Sequence, residues 1–288
     1  MRRGLRSVAL LVTFVWGMVP GAPSRASAAE PEARPVYSFG VVPQFEQRKL
    51  YAVWSPIIDE LTRRTGLSFK LVTTMSVEDF SRAYFREELD FAYVNPYHTL
   101  KVSTYSPLVA DRAPLHGILV VGRDDPIRSV QELEGKVVAF PSPNALGASL
   151  LLRADLDRLF HVKVVPQYVK THSSVYLHVA KGLAAAGGGV EKSLAEQKPE
   201  VRDALRVLYT TRSLPSHPIT AHDRVPVAHQ EKVRQALLAM DATPEGRALL
   251  APIPTERLIG ASRGDYEAIR ALDLEAFWVD MWKEGPGR

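Results

Sequence analysis

Apolar and polar positions along this chain alternate with two different periods. Short apolar runs typical of buried strands are separated by longer stretches in which apolar residues recur at helical spacing. This order of strands and helices favours an α/β fold with mainly parallel sheets and helices on both faces. The predicted strands are Tyr37–Val42, Phe69–Val72, Phe91–Val94, His116–Gly122, Val137–Phe140, Lys163–Tyr168 and Val207–Tyr209.

The predicted helices begin and end at recognisable residues. The first ends at Gly66, and Pro56 inside its apolar pattern predicts a kink or a late start. Ser76 and Asp79 form a capping pattern for the second helix, which reaches about Glu87. The further predicted helices are Val130–Leu133 after Ser129, Ala145–Phe160, Ser174–Gly182 and an almost wholly helical tail from Val227 to Trp282.

The order of these elements predicts two lobes. Two strand–helix stretches, residues 36–110 and 115–209, precede the helical tail. A tail that returns to the first stretch would give two lobes joined by crossing strands, with a ligand cleft between them. We therefore expect lobe one to comprise 36–112 plus 216–288 and lobe two to comprise 113–215.

The N-terminus has the three parts of a secretory signal. A basic start is followed by an apolar run, Val8–Val19, and then by small residues at 26–28. The apolar run is too short to span a bilayer comfortably. We expect residues 1–28 to be a signal peptide cleaved after Ala28 or Ala29, so that the protein is exported.

Charge and cysteine content narrow the class of protein. Four of the 36 basic residues, all arginines, lie in residues 1–28, which leaves 32 basic against 32 acidic residues. A formal charge near zero gives no argument for nucleic-acid binding or for an anionic membrane surface. The chain has no cysteine, so we expect neither disulfides nor a lipid anchor after the signal. We expect a soluble periplasmic protein that is a monomer.

Catalytic and metal-binding motifs are weak in this sequence. Gly260–Gly264 fits the G-x-S-x-G pattern of hydrolases, but no buried strand precedes it, and Ser262 with Asp265 is better interpreted as a helix cap. His172 and His178 are six residues apart, a spacing that does not place two ligands on one helix face. We predict no metal, no cofactor and no catalytic residue, and an exported hydrolase is the least favoured hypothesis.

The segment Asp90–His98, DFAYVNPYH, has the strongest signal for a ligand. Its apolar strand ends at Asn95-Pro96, and ligands of α/β proteins bind beyond the carboxyl ends of strands. Tyr93, Asn95 and Tyr97 are therefore candidate binding residues. The alternative is an ordinary turn in which Asn95 caps a helix that begins at Pro96.

Two helix starts in the second stretch are candidates for the opposite side of the cleft. Phe140–Ser149 runs from a strand end through a proline-rich turn into a helix, whose free N–H groups would form an anion site. Thr171–Ser174 precedes the next helix in the same way. Gly187–Gly189, after an apparent strand end at Ala184–Ala186, would let the backbone approach a ligand or another segment closely. The alternatives are a capped helix with nothing bound, a hydrogen-bonded loop histidine and simple flexibility.

Five segments occur along the chain in a specific order. They are FGVVPQ (Phe39–Gln44), DFAYVNPYH, GILVVGRDDPIRSVQELEGKVVAFPSP (Gly117–Pro143), THSSVYLHVAKGL (Thr171–Leu183) and GGGV (Gly187–Val190). In this order they resemble the phosphate/phosphite/phosphonate-binding protein family, the periplasmic solute-binding components of ABC transporters. The resemblance covers about residues 36–275 and implies a two-lobed type II periplasmic-binding fold that closes on its ligand by hinge motion.

The resemblance also implies where this chain departs from its family. Phosphonate-binding members have a Ser-Thr-Ser run whose hydroxyls and N–H groups hold the phosphonyl oxygens, whereas Ala145, Leu146 and Gly147 keep the N–H groups alone. His172 matches the family, but Ser173 and Ala185 stand where acids are common. The loss of these carboxylates argues against an aminoalkylphosphonate, and the identity of the solute stays open.

We therefore expect a non-enzymatic solute-binding protein for a small polar or anionic solute. Its partners would be the membrane permease and the ATPase of an ABC transporter. The alternative partner is a membrane receptor kinase, for which the chain would be a periplasmic sensor. The expected ligand contacts are Gln44, Tyr93, Asn95 and Tyr97 in lobe one and Ser142, Asn144, Ala145, Leu146, Gly147, His172 and Ser173 in lobe two.

Overall fold

The computed structural model describes residues 35–253 and 255–280. The predicted signal peptide at 1–28, its cleavage site and Trp282 at the end of the predicted helical tail lie outside the described residues. Within the described residues, no helix is both long enough and apolar enough to cross a membrane.

Strands and helices alternate along the chain. The strands are β1 (Val36–Val41), β2 (Ser68–Thr73), β3 (Phe91–Tyr93), β4 (Tyr105–Asp111), β5 (Gly117–Gly122), β6 (Val137–Phe140), β7 (Val165–Tyr168), β8 (Ala186–Val190), β9 (Leu205–Thr210), β10 (Pro218–His222) and β11 (Leu258–Gly260). The α-helices are α1 (Gln47–Thr65), α2 (Val77–Phe85), α3 (Pro96–Lys101), α4 (Leu151–Arg158), α5 (His172–Ala180), α6 (Glu191–Ala195), α7 (Pro199–Arg202), α8 (Val227–Asp241) and α9 (Pro244–Leu250). A π-helical turn spans Leu146–Leu150, and 3₁₀ turns span Val130–Leu133, Arg263–Leu272 and Glu275–Phe277.

Two sheets define the two lobes. Lobe one contains the six-stranded sheet in the order β11-β4-β10-β3-β1-β2, and lobe two contains the five-stranded sheet in the order β7-β6-β8-β5-β9. The chain crosses from β4 to β5 and returns from β9 to β10, and the two crossing segments pair antiparallel at Leu115 and Leu214. The two-lobed α/β fold is confirmed, while the boundaries at residues 113 and 216 stay a prediction.

The direction of the strands differs from the expectation of mainly parallel sheets. β1 is parallel to β2 and β3, and β6 is parallel to β7 and β8. The other pairs are antiparallel: β10 with β3 and β4, β11 with β4, and β5 with β8 and β9. The physical reason is the double crossing, because the outgoing strands β4 and β5 lie beside the returning strands β10 and β9. Both sheets are therefore mixed.

Helix α1 shows how local signals decide an element. It begins at Gln47, where the Glu46 carboxylate accepts hydrogen bonds from the Arg48 and Lys49 N–H groups, and it ends at Gly66 in the left-handed conformation. The helix runs through Pro56, so the predicted late start is wrong. An early cap and a buried apolar face outweigh the one hydrogen bond that proline removes.

Three strands were absent from the sequence prediction, namely β4, β10 and β11. Pro107 lies inside β4 and Pro218 begins β10, and proline is ordinarily evidence against a strand within a sheet. β11 has three residues and interrupts the tail that was expected to be wholly helical. These strands are stabilised by pairing with distant parts of the chain, which a local pattern does not report.

The glycines 187–189 lie within β8 and not after a strand end, so the predicted strand end at Ala184–Ala186 is wrong. A Cβ atom at Gly188 would clash with the Ala148 carbonyl oxygen and with the Phe140 ring. A Cβ at Gly189 would clash with the Tyr176 hydroxyl. The glycines therefore let the π-helical turn and α5 pack directly against the strand.

Candidate functional site

The two lobes contact each other at several points around a narrow cleft. The Lys49 ammonium donates to the Glu196 carbonyl oxygen over 2.6 Å. Elsewhere the Val77 N–H donates to the Lys170 carbonyl oxygen over 3.3 Å. The side-chain amide of Asn95 donates to the Asn144 carbonyl oxygen over 3.0 Å. These contacts describe lobes that are closed on each other.

Two adjoining hollows lie inside the closed cleft. Each has a cavity volume of about 10 Å³, which is room for about one water molecule. Gln44, Val190 and His217 line both hollows. We call them the first hollow, which reaches Tyr93, and the second hollow, which reaches His172.

Four helix starts surround the second hollow. Val77 is the first residue of α2, Asn95 caps α3, Ala145–Gly147 begin the π-helical turn that leads into α4, and His172 is the first residue of α5. A helix N-terminus carries partial positive charge and N–H groups without an intrahelical partner. The hollow is therefore an electrostatically favourable place for a small anion.

The cap of α3 also explains how Asn95 faces the hollow. Its side-chain oxygen accepts the Tyr97 N–H over 3.0 Å, with Pro96 at the first helical position. Its side-chain nitrogen reaches across to lobe two. The predicted helix cap is confirmed, and the same residue also lines the second hollow.

The start of the helix before α4 differs from the regular helix predicted over Ala145–Phe160. Its first turn is π-helical, and the Ala145 carbonyl oxygen accepts from both the Ser149 and Leu150 N–H groups at 2.9 Å. Within the described residues, the N–H groups of Ala145, Leu146 and Gly147 make no hydrogen bond. Wide turns of this kind are frequent at functional sites, and the three residues with these unpaired N–H groups line the second hollow.

His172 is held from behind by a serine. Its Nδ1 lies 3.0 Å from the Ser193 hydroxyl oxygen. Burial lowers the pKa of His172 to about 4, so the ring is neutral at pH 7. The predicted helix after Thr171 begins earlier than expected, because the Thr171 hydroxyl accepts the Ser174 N–H over 3.1 Å and makes His172 its first residue.

His217 is a site residue that the sequence prediction missed. It lies just before β10, lines both hollows and stacks on Tyr93 with 5.4 Å between ring centroids. Burial, and then the nearby His172, His98 and Lys192, lower the pKa of His217 to about 3. The only sequence signal was a histidine between Ser216 and Pro218 at the return into lobe one.

Tyr93 and Gln44 complete the lobe-one side. Burial, reinforced by the charge of Asp111, raises the pKa of Tyr93, and a hydrogen bond with Gln44 opposes that shift. The Tyr93 ring also packs on Trp54 with 5.1 Å between ring centroids. The Tyr93 side chain is therefore uncharged at neutral pH, is held in place by ring packing, and lines the first hollow.

Among the described residues, the one carboxylate that lines the hollows is already paired. Asp111 forms an ion pair with Lys192 and accepts N–H groups from Ala113, Glu256 and Arg257 at 3.1–3.2 Å. Neither hollow is lined by an unpaired carboxylate in the described part of the chain. A bound anion would therefore meet donors and no uncompensated negative charge.

Four predicted contacts lie outside the lining of both hollows. The Tyr97 hydroxyl donates to Glu275 over 2.6 Å. The Asn144 side chain bonds to both main-chain polar groups of Val279, at 2.7 and 3.0 Å. Ser142 is fully buried, with no hydrogen-bond partner for its hydroxyl in the described residues, and Ser173 is half-buried on α5.

We call residues 272–279 the C-terminal strap. This segment contains the hydrogen-bond partners of the Tyr97 and Asn144 side chains. In lobe two, Arg153 donates to the Phe277 carbonyl oxygen over 2.6 Å, and Arg158 donates to the carbonyl oxygens of residues 272 and 273. In lobe one, Lys101 pairs with the carboxylate of Glu275 at 2.5 Å. The strap thus contacts both lobes.

The G-x-S-x-G segment has a structural role. Ser262 caps the 3₁₀ turn that follows it, and the Asp265 carboxylate accepts both the N–H and the hydroxyl of Ser262, at 2.7 and 3.0 Å. The interpretation as a helix cap is confirmed. Among the described residues, no group of three or more histidines or carboxylates is placed to hold a metal ion.

A family model for "ABC transporter, phosphonate, periplasmic substrate-binding protein" matches residues 39–266. A binding-protein component of an ABC phosphonate transporter from Pseudomonas aeruginosa has 15% identity and a TM-score of 0.77, covering 84% of this chain and 86% of that chain. The methylphosphonate complex of PhnD1 from Prochlorococcus marinus has 15% identity and a TM-score of 0.74, covering 82% and 96%.

An ATP-bound protein from Xanthomonas citri has 16% identity and a TM-score of 0.65, covering 84% of this chain and 98% of that chain. At these identities the structural likeness shows the fold, and the bound ligands belong to those proteins. The match of the family model covers most of the chain and favours transport over a sensor role. This chain therefore belongs to the family of phosphonate-type periplasmic substrate-binding proteins of ABC transporters.

Proposed function

We propose that this protein captures a small oxyanion of the phosphonate or phosphite type in the two hollows between its lobes. The observation that carries the proposal is the convergence of four helix starts on the second hollow. No lining carboxylate in the described residues is free to repel an anion, because Asp111 is paired with Lys192. The site therefore has the charge pattern of an anion receptor.

The small size of the hollows favours a solute of a few heavy atoms over a large one, and the lobes would have to separate slightly to admit even a compact anion. With the lobes closed, each hollow has a cavity volume of about 10 Å³. Methylphosphonate, the ligand of the Prochlorococcus marinus relative, and phosphite are compact tetrahedral anions. A nucleotide such as the ATP of the Xanthomonas citri protein would require the lobes to stay far apart.

Main-chain donors replace the hydroxyls that the family commonly uses. Ala145, Leu146 and Gly147 have no side-chain donor, but their N–H groups remain without a partner among the described residues. A main-chain N–H, like a hydroxyl, donates a charge-assisted hydrogen bond to an oxyanion oxygen. No free carboxylate of the described residues lines the hollows, which argues against solutes that carry an ammonium group.

The proposed biological role is delivery of this solute to a membrane permease driven by an ATPase. We propose that the mature chain begins after Ala28 or Ala29, acts as a monomer in the periplasm and has no enzymatic activity. Closure of the lobes around the solute would present one surface to the permease in the loaded state.

Calorimetric titration with methylphosphonate, phosphite, phosphate, 2-aminoethylphosphonate, acetate and arginine tests the proposal. We expect methylphosphonate or phosphite to bind most tightly and to stabilise the protein by about 2.7 kcal/mol at 100-fold its Kd. Binding of arginine or acetate in place of every phosphorus oxyanion would overturn the proposal.

The variant Asn95→Asp adds a negative charge among the helix starts. We expect it to weaken oxyanion binding by about tenfold or more, because like charges a few ångströms apart repel by more than 1 kcal/mol in a partly buried site. Gln235→Glu on α8, an exposed position away from the hollows, adds the same charge and should leave affinity unchanged. Equal affinities for the two variants would contradict an anion site at Asn95.

A further inference from the structure

A chain of hydrogen bonds behind His172 fixes which of its ring nitrogens carries a proton. The Ser193 hydroxyl oxygen lies 3.0 Å from His172 Nδ1, 2.9 Å from the Val190 carbonyl oxygen and 2.8 Å from the Tyr176 hydroxyl oxygen. The Tyr176 hydroxyl oxygen also accepts the Val190 N–H over 3.2 Å. All four residues are buried.

The protons of this chain can be assigned by counting donors. If Tyr176 donates to Ser193 and Ser193 donates to the Val190 carbonyl oxygen, then His172 donates from Nδ1 to Ser193, and each of these three contacts has one proton. The contact of Tyr176 with the Val190 carbonyl oxygen, at 3.0 Å, is then the one contact of the four without a proton. If Ser193 instead donated to His172, two contacts would lack a proton: that of Ser193 with the Val190 carbonyl oxygen, at 2.9 Å, and one of the two contacts of the Tyr176 hydroxyl. The first arrangement satisfies more of the buried oxygens.

In that arrangement His172 Nε2 carries no proton and is a hydrogen-bond acceptor at the second hollow. It has no hydrogen-bond partner in the described part of the chain, and His172 lines the hollow. Burial keeps the pKa of His172 near 4, so solution protons do not occupy Nε2 at neutral pH. Across the hollow, neither ring nitrogen of His217 has a described partner, so its tautomer is free to adapt.

The other ionisable groups near the two imidazoles do not supply the missing proton. Lys192 is paired with Asp111, and burial raises the pKa of Tyr93. His98 lies further into lobe one, and burial lowers its pKa to about 3. The Tyr176 hydroxyl has the Ser193 hydroxyl and the Val190 carbonyl oxygen within hydrogen-bond distance, so its proton stays within that chain of contacts. Since no described residue donates to His172 Nε2, a ligand hydroxyl is the donor that would satisfy it.

We propose that the solute binds while it carries a proton, its O–H group donating to His172 Nε2, with Ser193 as the positioning residue that fixes the histidine tautomer. This inference rests on the proposed oxyanion function and narrows its ligand class. The class is oxyanions that retain an ionisable proton near neutral pH, such as hydrogen phosphonates and hydrogen phosphite. Sulfate and alkylsulfonates present only acceptors there, so they would leave two lone pairs facing each other.

Selectivity is the first measurable consequence. A site that pairs a buried acceptor with a ligand hydroxyl discriminates strongly against analogues that lack the hydroxyl. We expect methylphosphonate to bind about 100-fold or more tightly than methylsulfonate in calorimetric titrations at pH 6. Equal affinities for the two anions would overturn the inference.

Proton uptake is the second consequence. Titrations of methylphosphonate in two buffers of different ionisation enthalpy give the number of protons bound per solute. We expect this number to be near zero below the second pKa of methylphosphonate and near one above it, with affinity falling about tenfold per pH unit in the upper range, because only the protonated form binds. Tight binding of the dianion with no proton uptake would contradict the inference.

Variants separate the tautomer from the mere presence of a histidine. Ser193→Ala leaves His172 in place but frees its tautomer, and we expect the selectivity for methylphosphonate over methylsulfonate to fall about tenfold or more. His172→Gln can turn an amide donor toward the hollow and should lose selectivity even if Ser193→Ala folds poorly. His178→Gln lies on the same helix outside the hollow lining and is the matched control; selectivity unchanged in the first two variants would overturn the inference.

The results also distinguish this inference from the proposed function. If neither methylphosphonate, phosphite nor methylsulfonate binds to the wild-type protein, both are wrong. If methylphosphonate and methylsulfonate bind alike without proton uptake, the oxyanion function stands and the inference alone is wrong.

Discussion

Lobe one and lobe two hold their sides of the cleft in different ways. The buried core of lobe one is one continuous cluster rich in rings, among them Phe39, Trp54, Phe91 and Tyr93. The sheet of lobe two is covered by smaller, mainly aliphatic clusters. Its central strand β8 contains three consecutive glycines. In lobe one, packing among the rings therefore holds side chains in place. In lobe two, the glycines of β8 let neighbouring main-chain segments approach the strand closely.

This difference explains what each lobe contributes to the ligand site. Lobe one presents the side chains of Gln44, Tyr93 and Asn95, each buried. Lobe two presents the N–H groups at the start of the π-helical turn and the single ring of His172. Main-chain donors do not depend on side-chain identity, so an anion site can persist where a family's usual hydroxyls have been replaced.

The largest expected effect tests the ring-rich core of lobe one. Trp54→Ala removes a fully buried ring that packs on Phe39 and Tyr93, with centroids 5.8 and 5.1 Å away. We expect the free energy of unfolding, measured in urea, to fall by about 3–5 kcal/mol. Tyr51→Ala on the same helix, where the ring is 59% exposed, should change it by about 0.5 kcal/mol or less. Similar losses in both variants would refute a specific role for the ring cluster.

The next effect tests the close main-chain packing of lobe two. Gly188→Ala places a Cβ against the Ala148 carbonyl oxygen and the Phe140 ring. We expect the free energy of unfolding to fall by about 1–3 kcal/mol and oxyanion binding to weaken, because the π-helical turn must move. In Gly122→Ala the nearest atom to the new Cβ is 3.6 Å away, and both quantities should stay near the wild-type values. If Gly188→Ala binds oxyanions normally, the turn does not depend on the glycine strand.

A third prediction compares the buried histidines of the two lobes. His172 has a serine partner, whereas both ring nitrogens of His98 are buried without a partner in the described residues. Burial, and then Lys101, lower the pKa of His98 to about 3, against about 6.5 in an unfolded chain. The unfolded state therefore binds the proton first, so this contribution to stability is complete above pH 6.5 and is lost progressively as the pH falls toward 3.

His98→Leu should reduce this acid sensitivity. We expect unfolding midpoints measured from pH 7 to pH 4 to fall less steeply than in the wild type, with a gain of about 1 kcal/mol at pH 7 from removal of two unsatisfied nitrogens. His161→Asn changes an exposed histidine at φ 56, a conformation that asparagine tolerates, and should leave the pH profile unchanged. An identical profile for His98→Leu and the wild type would show that His98 is not the titrating group.

The smallest expected effect concerns the lost hydroxyls themselves. Ala145→Ser restores a hydroxyl at the start of the π-helical turn. Because the N–H groups there are already unpaired donors, we expect methylphosphonate affinity to change by about threefold or less, which is under 1 kcal/mol. Ala195→Ser, on an exposed helix position, controls for the general effect of the substitution. A gain above tenfold would mean that side-chain hydroxyls, and not main-chain donors, limit binding in this lobe.

Local signals in the sequence were sufficient for much of the fold. The capping patterns at Ser76, Ser129 and Ser262 each appear in the structure, because a cap depends on residues three positions apart. Strand Val137–Phe140 has the predicted bounds, since it is a short apolar run between polar turns. At the second hollow the caps predicted the starts of α2 and α3, whereas the π-helical turn has no side-chain cap and α5 begins two residues before the predicted Ser174.

The missed features depend on contacts between distant parts of the chain. His217 lines the hollows because β10 inserts between β3 and β4, and no periodic pattern around it reports that pairing. Tyr97 and Asn144 stay predicted ligand contacts, and their hydrogen bonds to residues more than a hundred positions later, in the C-terminal strap, were not predictable from a local pattern. A sequence pattern can identify polar residues at the ends of strands and helices, but it does not predict the residues to which they hydrogen-bond.

The C-terminal strap contains Trp278, whose fluorescence can be used to follow movement of the lobes. Trp278 packs on Tyr97 at 5.4 Å and on His98 at 5.9 Å in lobe one, while the residues on either side of it bond to Arg153 and Asn144 in lobe two. Movement of the lobes would change the rings and charges around the indole. Tryptophan emission should therefore report lobe opening without any attached dye, and Trp278→Phe would identify the part of the signal that comes from the strap.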